Sequence, residues 1–357
     1  MYLDFFKLKE FPFRLTPDTE FLYMSSVHAR AKAYMDYSVW NREGFVVITG
    51  EIGCGKTILV KKLLSELEDE NFLVAKVFQT QLDEVEFLQA VLVEFGLNPF
   101  NAKKVELIDM LNTFLVNAFH EKKQLVLIVD DAHNLSLKAL EEIRMLSGLE
   151  TQKEKVLHVI LVGQPQLNSM LDAPELEQLV QRVRLRFHVR PLAPDEMVEY
   201  IAHRLKVAGA TRTDLFTPET MAVIYKYTGG VPRLINTLCD TALTSAYADD
   251  LPTVTINVIK EALDELQWLP FERRTGRQGK QPAKSERAVA VREHDKAIAN
   301  ISNRLNQVDS LIPSLSMIYD RLGSIEALLA NIVTHLKQSR SERELPPSSR
   351  QAGGKDH

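Results

Sequence analysis

One short stretch of the sequence has the residue types and the spacing of a phosphate-binding loop. It reads Gly50-Glu51-Ile52-Gly53-Cys54-Gly55-Lys56-Thr57, follows an apolar segment and leads into a helical pattern that includes Ile58. Glycines let such a loop curl so that backbone N–H groups point at phosphate oxygens, and the following helix adds the positive end of its dipole. The lysine would reach the β and γ phosphates, and the threonine hydroxyl would ligate Mg²⁺. Residues 50–58 are therefore predicted to bind ATP and Mg²⁺.

A second pair of residues supplies the carboxylates that this chemistry needs. The apolar run from Leu125 to Val129 ends in Asp130 and Asp131. We expect Asp130 to hold Mg²⁺ through water and Asp131 to orient or polarise the attacking water. An apolar strand that ends in an acidic helix cap is the plainer alternative for this pair taken alone.

The elements that must position these residues are predicted to be buried parallel strands. Four segments are short and nearly all apolar, as strands covered on both faces are. They are residues 45–50, 73–78, 125–130 and 157–163, and a more charged fifth strand is expected at 184–189. Helical patterns lie between them, for example at 57–69 and 137–149. The alternation predicts an α/β P-loop NTPase fold, with a parallel sheet and helices on both faces.

The remainder of the chain is predicted to be helical and then irregular. Helical patterns after Pro191 cover residues 195–208, 218–228, 232–248 and 256–266. The expected domains are a nucleotide-binding α/β domain (1–192), a helical lid domain (193–268), a basic flexible linker (269–295), a coiled coil (296–338) and a disordered tail (339–357).

The coiled coil is predicted from apolar residues at spacings of three and four between Ile298 and Leu336. The phase of this pattern changes between Val308 and Leu311, beside Pro313. A lone amphipathic helix that folds back on the lid is the alternative.

Composition narrows the setting of the protein. The net charge of −5 argues against a protein dominated by affinity for nucleic acid. The two cysteines, Cys54 and Cys239, have neither disulfide nor metal-ligand spacing, so a reducing cytoplasm fits best. No apolar run approaches the roughly 20 residues of a spanning helix. We expect a cytoplasmic protein that reaches the inner membrane only peripherally, through a partner.

At this point the sequence resembles the AAA+ ATPases of the ExeA/GspA secretion group, together with the MshM-like and exosortase-associated ATPases. The resemblance covers about residues 1–266 and includes the phosphate loop and the acidic pair. The further stretches that carry it are Met1-Tyr2-Leu3-Asp4-Phe5-Phe6, Phe11-Pro12-Phe13, Pro17-Asp18, Asp130-Asp131-Ala132-His133-Asn134-Leu135, residues 144–150, Val162-Gly163-Gln164-Pro165, Gln181-Arg182-Val183 and residues 229–236.

The resemblance implies roles for four further residues. Gln164 looks like the polar sensor of the γ-phosphate, and Arg233 looks like the sensor arginine of the lid. Arg182 or Arg186 looks like an arginine finger given to a neighbouring subunit of a ring or filament, which would couple hydrolysis to homo-oligomer assembly. A solvated strand edge remains the alternative for these two arginines, and an ordinary polar residue at a strand end remains the alternative for Gln164.

The sequence departs from the family pattern in two ways. Where the family usually has Asp-Glu-Ala-Gln, this chain has Asp130-Asp131-Ala132-His133, so the presumed catalytic carboxylate is one methylene shorter and slow hydrolysis is expected. ExeA-type members continue into a membrane span and a peptidoglycan-binding domain. Neither pattern follows residue 266, so cell-wall binding is not carried over.

Three functions remain open. The first is an assembly ATPase with protein partners in a bacterial envelope system, such as secretion, type IV pilus formation or exopolysaccharide export. The second is a DNA-associated regulator that resembles the TnsC/TniB transposition proteins, since residues 273–292 hold seven Lys or Arg against a single Glu. The third is a scaffold that binds ATP without hydrolysing it.

The amino-terminal segment is the least defined part of the predicted site. We expect its aromatic residues, Phe5, Phe6, Phe11 and Phe13, to pack against the ATPase core. Residues 21–23 and His28 are expected to close over the adenine.

Overall fold

Five parallel strands form one sheet in the order β2-β3-β4-β1-β5. They are β1 (Phe45–Gly50), β2 (Phe72–Val77), β3 (Gln124–Val129), β4 (Leu157–Gly163) and β5 (Leu185–Val189). Every pairing is parallel, with Thr49 opposite Gly163 in one pair and Val129 opposite Leu161 in another. All carboxyl ends therefore meet at one edge, and β4 separates β1 from β3 there. The predicted α/β fold is confirmed, and each strand end lies within one residue of its predicted position.

This computed structural model describes residues 2–275, except 42–43, 69–70, 79, 149–154 and 213. The predicted coiled coil (296–338) and tail (339–357), and the linker beyond residue 275, lie outside the described residues.

Helices cover both faces of the sheet. They are α1 (Tyr2–Phe6), α2 (Ser26–Trp40), α3 (Lys56–Glu66), α4 (Glu84–Glu94), α5 (Lys104–His120), α6 (Leu137–Leu146), α7 (Gln166–Leu171) and α8 (Glu177–Val180). Because side chains alternate along a strand, Val46 and Ile48 pack with α2 and α3, while Phe45 and Val47 pack with α4 to α8. Helices α3 and α6 end three residues earlier than predicted, at caps formed by Leu67 and Ser147.

The chain after β5 forms a helical region with its own hydrophobic core. It contains α9 (Pro194–Val207), α10 (Pro218–Thr228), α11 (Pro232–Ala248), α12 (Ile256–Glu265) and α13 (Phe271–Thr275). Helices α9, α10 and α11 each begin with proline, whose fixed φ suits the first helical position and whose missing N–H is not needed there. Among the described residues, no helix combines the length and apolar character that crossing a membrane requires.

The amino-terminal segment packs on the helical region and not on the sheet. Tyr2, Phe6, Phe13 and Phe21 are buried in one cluster with apolar residues of α9 to α12. The Tyr2 hydroxyl also donates a hydrogen bond of 2.6 Å to Asp240 in α11. The expectation that Phe5, Phe6, Phe11 and Phe13 pack against the ATPase core takes a narrower form, because they pack on the helical region. The predicted domain boundaries stay a prediction. Both faces of the sheet are already covered by α2 to α8, so the apolar face of the helical region is the one left to cover.

Candidate nucleotide site

A cavity of about 370 Å³ lies between the carboxyl edge of the sheet and the helical region. It is lined by the phosphate loop and α3, by the residues after β3 and β4, by α9 and α11, and by an amino-terminal stretch. The lining residues are Arg14, Leu15, Thr16, Pro17, Asp18, Ile52, Gly53, Gly55, Lys56, Thr57, Ile58, Asp131, Gln164, Tyr200, Arg204, Pro232, Arg233 and Asn236. Most of the predicted site residues are thus brought to one cavity.

The backbone of the phosphate loop uses its glycines where other residues would be strained. Gly53 has φ +84° and Gly55 has φ +91°, both in the left-handed region that favours glycine. Gly50 is extended, but a Cβ there would lie 2.6 Å from the Val189 carbonyl oxygen of β5. Gly55 precedes α3 without a side-chain cap, so the first N–H groups of this helix remain available to an anion.

Lys56 is held at the base of the loop by the loop itself. Its ammonium donates hydrogen bonds of 2.8 Å to the Gly50 carbonyl and 2.9 Å to the Glu51 carbonyl. Burial lowers the pKa of Lys56, because the charged form is removed from water. An ammonium has three donors, so one N–H remains for a phosphate oxygen.

Thr57 and Asp130 form the pair expected to bind Mg²⁺. The Thr57 hydroxyl donates a hydrogen bond of 2.8 Å to Asp130 Oδ2, and Asp130 is 4% exposed. Burial raises the pKa of Asp130, while the hydrogen bonds from Thr57 and from the Asp131 N–H oppose that shift. A hydroxyl and a carboxylate at this spacing fit Mg²⁺, which prefers oxygen ligands and takes the rest from phosphates and water. The described part of the chain holds no cluster of three His, Cys, Asp or Glu that could bind a metal ion.

Asp131 faces the cavity from a left-handed backbone conformation. Its φ is 51° and its side chain is 55% exposed. Aspartate tolerates this conformation better than most residues. The Thr80 hydroxyl donates to the Asp131 carbonyl at 3.0 Å, which anchors the turn. The short side chain is therefore presented to the cavity from a fixed backbone.

Gln164 reaches the cavity because β4 lies between β1 and β3. The residue follows β4, so it stands between the phosphate loop after β1 and the acidic pair after β3. Its N–H donates to His133 Nδ1 at 3.4 Å, and the same nitrogen lies 3.9 Å from Asp131. The His133 ring therefore lies between Gln164 and Asp131.

Arg233 belongs to the first turn of α11, which rests directly on the phosphate loop. Its N–H donates to the Gly53 carbonyl at 3.2 Å. A Cβ at Gly53 would lie only 2.5 Å from Arg233 Cβ, so glycine is needed for this approach. The Gly53–Arg233 pair is therefore one of the contacts between the helical region and the phosphate loop.

Arg182 and Arg186 are absent from the described lining of the cavity. Arg182 Nη1 donates to the Arg144 carbonyl at 3.0 Å and to the Ser147 hydroxyl at 3.2 Å. Arg186 is exposed and lies 3.5 Å from Asp172. Their predicted role toward a neighbouring subunit stays a prediction.

The amino-terminal residues that line the cavity differ from those expected to close over the adenine. Residues 14–18 line it, whereas Phe21 is buried in the helical core and His28 lies beneath the phosphate loop. The reason is Arg204 of α9, a 5% exposed cation that donates to the carbonyls of Pro12 and Arg14. Asn236 of α11 donates to the same Arg14 carbonyl at 3.3 Å. Arg204 lies in no motif, and the stretch 229–236 that ends in Asn236 does not indicate this contact, so only the structure identifies both anchors.

Cys54 is a buried residue of the phosphate loop. Burial raises the pKa of its thiol to about 11, so the reactive thiolate is disfavoured. Cys54 therefore packs as a small apolar residue within this loop.

Comparisons with known proteins agree with this geometry. The family described as AAA domain matches residues 40–171. General secretion pathway protein A of Aeromonas hydrophila is 40% identical over 250 residues, which cover 70% of this chain and 45% of that protein. An uncharacterised HTH-type transcriptional regulator of Methanocaldococcus jannaschii is 25% identical over 159 residues, 43% of this chain and 38% of that protein. The chain thus spans less than half the length of each of these relatives.

Solved structures share the fold at low sequence identity. Cdc6p of Pyrobaculum aerophilum has a TM-score of 0.55 and 15% identity, with 70% of each chain covered. The Drosophila ORC, in a structure bound to DNA, has a TM-score of 0.50 and 16% identity, covering 71% of this chain and 63% of that one. At such identities the likeness concerns the fold alone.

The match to the secretion protein is longer than the stretch from β1 to β5, so it must extend beyond the sheet. Together with the match to the AAA domain family, that identity makes this chain similar to the AAA+ ATPases of the ExeA/GspA type.

Proposed function

We propose that this chain binds ATP with Mg²⁺ and hydrolyses it slowly. The observation that carries the proposal is the single cavity in which the phosphate loop, Asp131, Gln164 and Arg233 converge, with the Thr57–Asp130 pair beside it. In this proposal, cationic and N–H groups would face the phosphates, and a carboxylate would lie where water attacks.

Each residue has a distinct task in this proposal. Lys56 and the loop N–H groups bind the β and γ phosphates, while Thr57 and Asp130 would hold Mg²⁺, which neutralises phosphate charge. Asp131 orients the attacking water, and Gln164 contacts the γ-phosphate between the two strand ends. Arg233 contacts the phosphates from the helical region, which would make the lid position depend on the nucleotide.

We further propose that the chain forms a ring or filament. Arg186 is exposed and Arg182 is half-buried, and both lie away from the cavity of their own chain. One of them would stabilise the transition-state charge in the site of a neighbouring subunit. The rate per subunit would then depend on assembly.

The biological role proposed here follows the secretion relative. The chain would work in the cytoplasm, peripherally at the inner membrane, on protein partners of an envelope system for secretion, pilus formation or exopolysaccharide export. Because the chain covers 45% of that relative, its partners belong to the proposal.

The comparisons do not favour the DNA-associated alternative, because the identity of 40% is to a secretion-pathway protein. A nucleotide-gated scaffold is the second candidate. The short, 55% exposed Asp131 side chain favours it, since a poorly held carboxylate orients water weakly.

Steady-state ATP hydrolysis over a series of protein concentrations tests these proposals. We expect a specific rate that rises with concentration and is lost in Lys56→Ala. A drop on Arg182→Ala or Arg186→Ala would identify the arginine finger. Lys138→Ala is a matched control, since that side chain is 78% exposed on α6. Tight ATP binding with no turnover at any concentration would leave the scaffold as the function.

A further inference from the structure

His28 lies beneath the phosphate loop, although it is 26 residues before the residue it contacts. The side chain is 3% exposed and projects from the first turn of α2. Its Nε2 is 2.8 Å from the Cys54 carbonyl oxygen, and its Nδ1 is 2.7 Å from the Ser25 hydroxyl. The ring therefore joins the start of α2 to the middle of the loop.

The partners of His28 fix its tautomer. A carbonyl oxygen only accepts, so Nε2 must carry the proton that it donates to Cys54. Burial lowers the pKa of His28, which keeps the ring neutral at neutral pH. In the neutral ring Nδ1 is then an acceptor, and the Ser25 hydroxyl donates a hydrogen bond to it. The Ser25 oxygen in turn accepts the His28 N–H as the cap of α2.

The contact decides which way one peptide group of the loop points. In a planar trans peptide, the carbonyl of Cys54 and the N–H of Gly55 point in opposite directions. Gly55 lines the cavity, whereas neither Cys54 nor His28 is among its described lining residues. A bond that holds the Cys54 carbonyl on the outer side of the loop therefore directs the Gly55 N–H toward the cavity.

Without the bond to His28, the peptide group between Cys54 and Gly55 could flip. Gly53 and Gly55 both have positive φ, and glycine has access to many alternative backbone conformations. A turned peptide would present the Cys54 carbonyl oxygen to the phosphates in place of an N–H donor. A Cβ at Gly55 would lie 2.7 Å from His28 Nε2, so the ring also limits the room on the outer side.

Helix α2 is itself tied to the helical region. Glu196 of α9 accepts hydrogen bonds from the Ser26 N–H at 3.0 Å and the Ser26 hydroxyl at 2.7 Å. Its second oxygen accepts from the Ala193 N–H at 3.1 Å. These bonds fix the first turn of α2, from which His28 reaches the loop.

We propose that His28 is a positioning residue of the nucleotide site, which sets the Gly55 N–H toward the phosphates by holding the Cys54 carbonyl. The proposal rests on the proposed ATP binding and adds a residue outside the phosphate-loop pattern. It acts through the loop and touches neither the nucleotide nor the metal.

ATP affinity of the full chain, measured by calorimetry, tests the proposal with two matched amides. In His28→Gln the amide nitrogen is as many bonds from Cβ as Nε2 is, so the donor to Cys54 is kept and affinity should stay within about threefold. His28→Asn is one bond shorter and should bind ATP at least about tenfold more weakly, as should His28→Leu. If His28 only stabilised the fold, the Gln variant would have no reason to bind ATP more tightly than the Asn variant. Equal affinity of all three variants and the unchanged chain would overturn the positioning role.

Two further measurements separate the ways of failing. If the unchanged chain binds no ATP, the proposed function fails and the positioning role fails with it. If the unchanged chain binds ATP and Lys56→Ala does not, the proposed nucleotide site is supported. The affinities of the His28 variants then test the positioning role separately. Nitrogen-15 NMR of histidine-labelled unchanged protein, with the His28→Gln spectrum for assignment, should show the Nε2–H tautomer. The Nδ1–H tautomer would contradict the proposal without depending on the folding of any variant.

Discussion

The Thr57 hydroxyl donates a hydrogen bond of 2.8 Å to Asp130 Oδ2 across 73 positions of sequence. The bond joins the first turn of α3 to the residue after β3, although β4 separates β3 from β1, the strand that leads into α3. It brings together the two protein ligands expected for Mg²⁺, and it can be altered without changing the fold.

Thr57→Val should remove most of the gain in ATP affinity that Mg²⁺ provides. Valine keeps the shape of the side chain but has no hydroxyl to ligate the metal. The measurement is the ratio of ATP affinities with Mg²⁺ and with EDTA, which we expect to fall at least about tenfold. Thr57→Ser retains the hydroxyl and should keep the ratio. A ratio unchanged by valine would exclude Thr57 as a ligand.

Asp130→Asn should raise the thermal unfolding midpoint of the nucleotide-free protein at neutral pH. Burial raises the pKa of Asp130 in the folded state, so the contribution of this group to stability is greatest at low pH and is lost as pH rises through the raised pKa. At pH 7 the ionised side chain is therefore destabilising, and asparagine avoids that penalty. The advantage of Asp130→Asn should shrink as pH falls toward the ordinary carboxyl pKa of about 3.9. A stability difference of opposite sign would contradict the raised pKa.

Asp131→Glu should increase the rate of ATP hydrolysis. The longer side chain starts from the same anchored turn and brings its carboxylate one methylene further into the cavity. We expect an increase of about tenfold in kcat, which corresponds to about 1.4 kcal/mol of activation free energy. Asp131→Asn, which removes the charge at constant size, should lower kcat and leave ATP binding nearly unchanged. A lower rate for the glutamate variant would show that this site is built for the shorter carboxylate.

Gly53→Ala should damage the contact between the loop and the helical region. The new Cβ would meet Arg233 Cβ at 2.5 Å and would sit at φ +84°. Gly96→Ala is a close control, because Gly96 has φ +83° but nothing within 4 Å of an added Cβ. We expect both to lose about 1 kcal/mol of unfolding free energy from backbone strain, and Gly53→Ala to lose ATP affinity as well. Equal ATP affinity in the two variants would place the Gly53–Arg233 contact outside the binding site.

Phe13→Ala should destabilise the helical region although Phe13 is distant from it in sequence. The ring is 1% exposed and packs edge-on against Phe216 at 6.0 Å between centroids. Loss of such a buried ring typically lowers the free energy of unfolding by about 3–5 kcal/mol. Phe100→Ala, at a residue 65% exposed, should change the urea midpoint little. Equal midpoints would show that the amino-terminal segment does not contribute to this core.

The sheet and the phosphate loop are predictable from sequence for a physical reason. Strands covered on both faces must be apolar throughout. The limits of an apolar run such as 157–163 therefore predict the limits of the strand. The loop pattern combines glycines, a lysine and a threonine at fixed spacing, and it lies between β1 and α3. Helix ends are less well defined, because capping by residues such as Ser147 depends on local geometry.

The rest of the site could not be predicted because it is made by packing between distant segments. Arg204 and Asn236 act on the backbone near residue 14, and neither has neighbours in sequence that mark this task. His28 is a single histidine in a helix, and its partner is a carbonyl group that every residue type has. The aromatics near the amino terminus predict burial, but their pattern does not say against which surface.

The burial of Tyr2 and Phe13 among α9 to α12 has a practical consequence for anyone who labels this protein. An affinity tag or fluorescent reporter joined to the amino terminus would be attached to the helical region, not to the sheet. Paired with a second dye on the sheet, such a reporter would measure the distance across the nucleotide cavity. A bulky fusion at the same point could hinder movement of the helical region. Activity assays should therefore use protein from which the fusion has been removed.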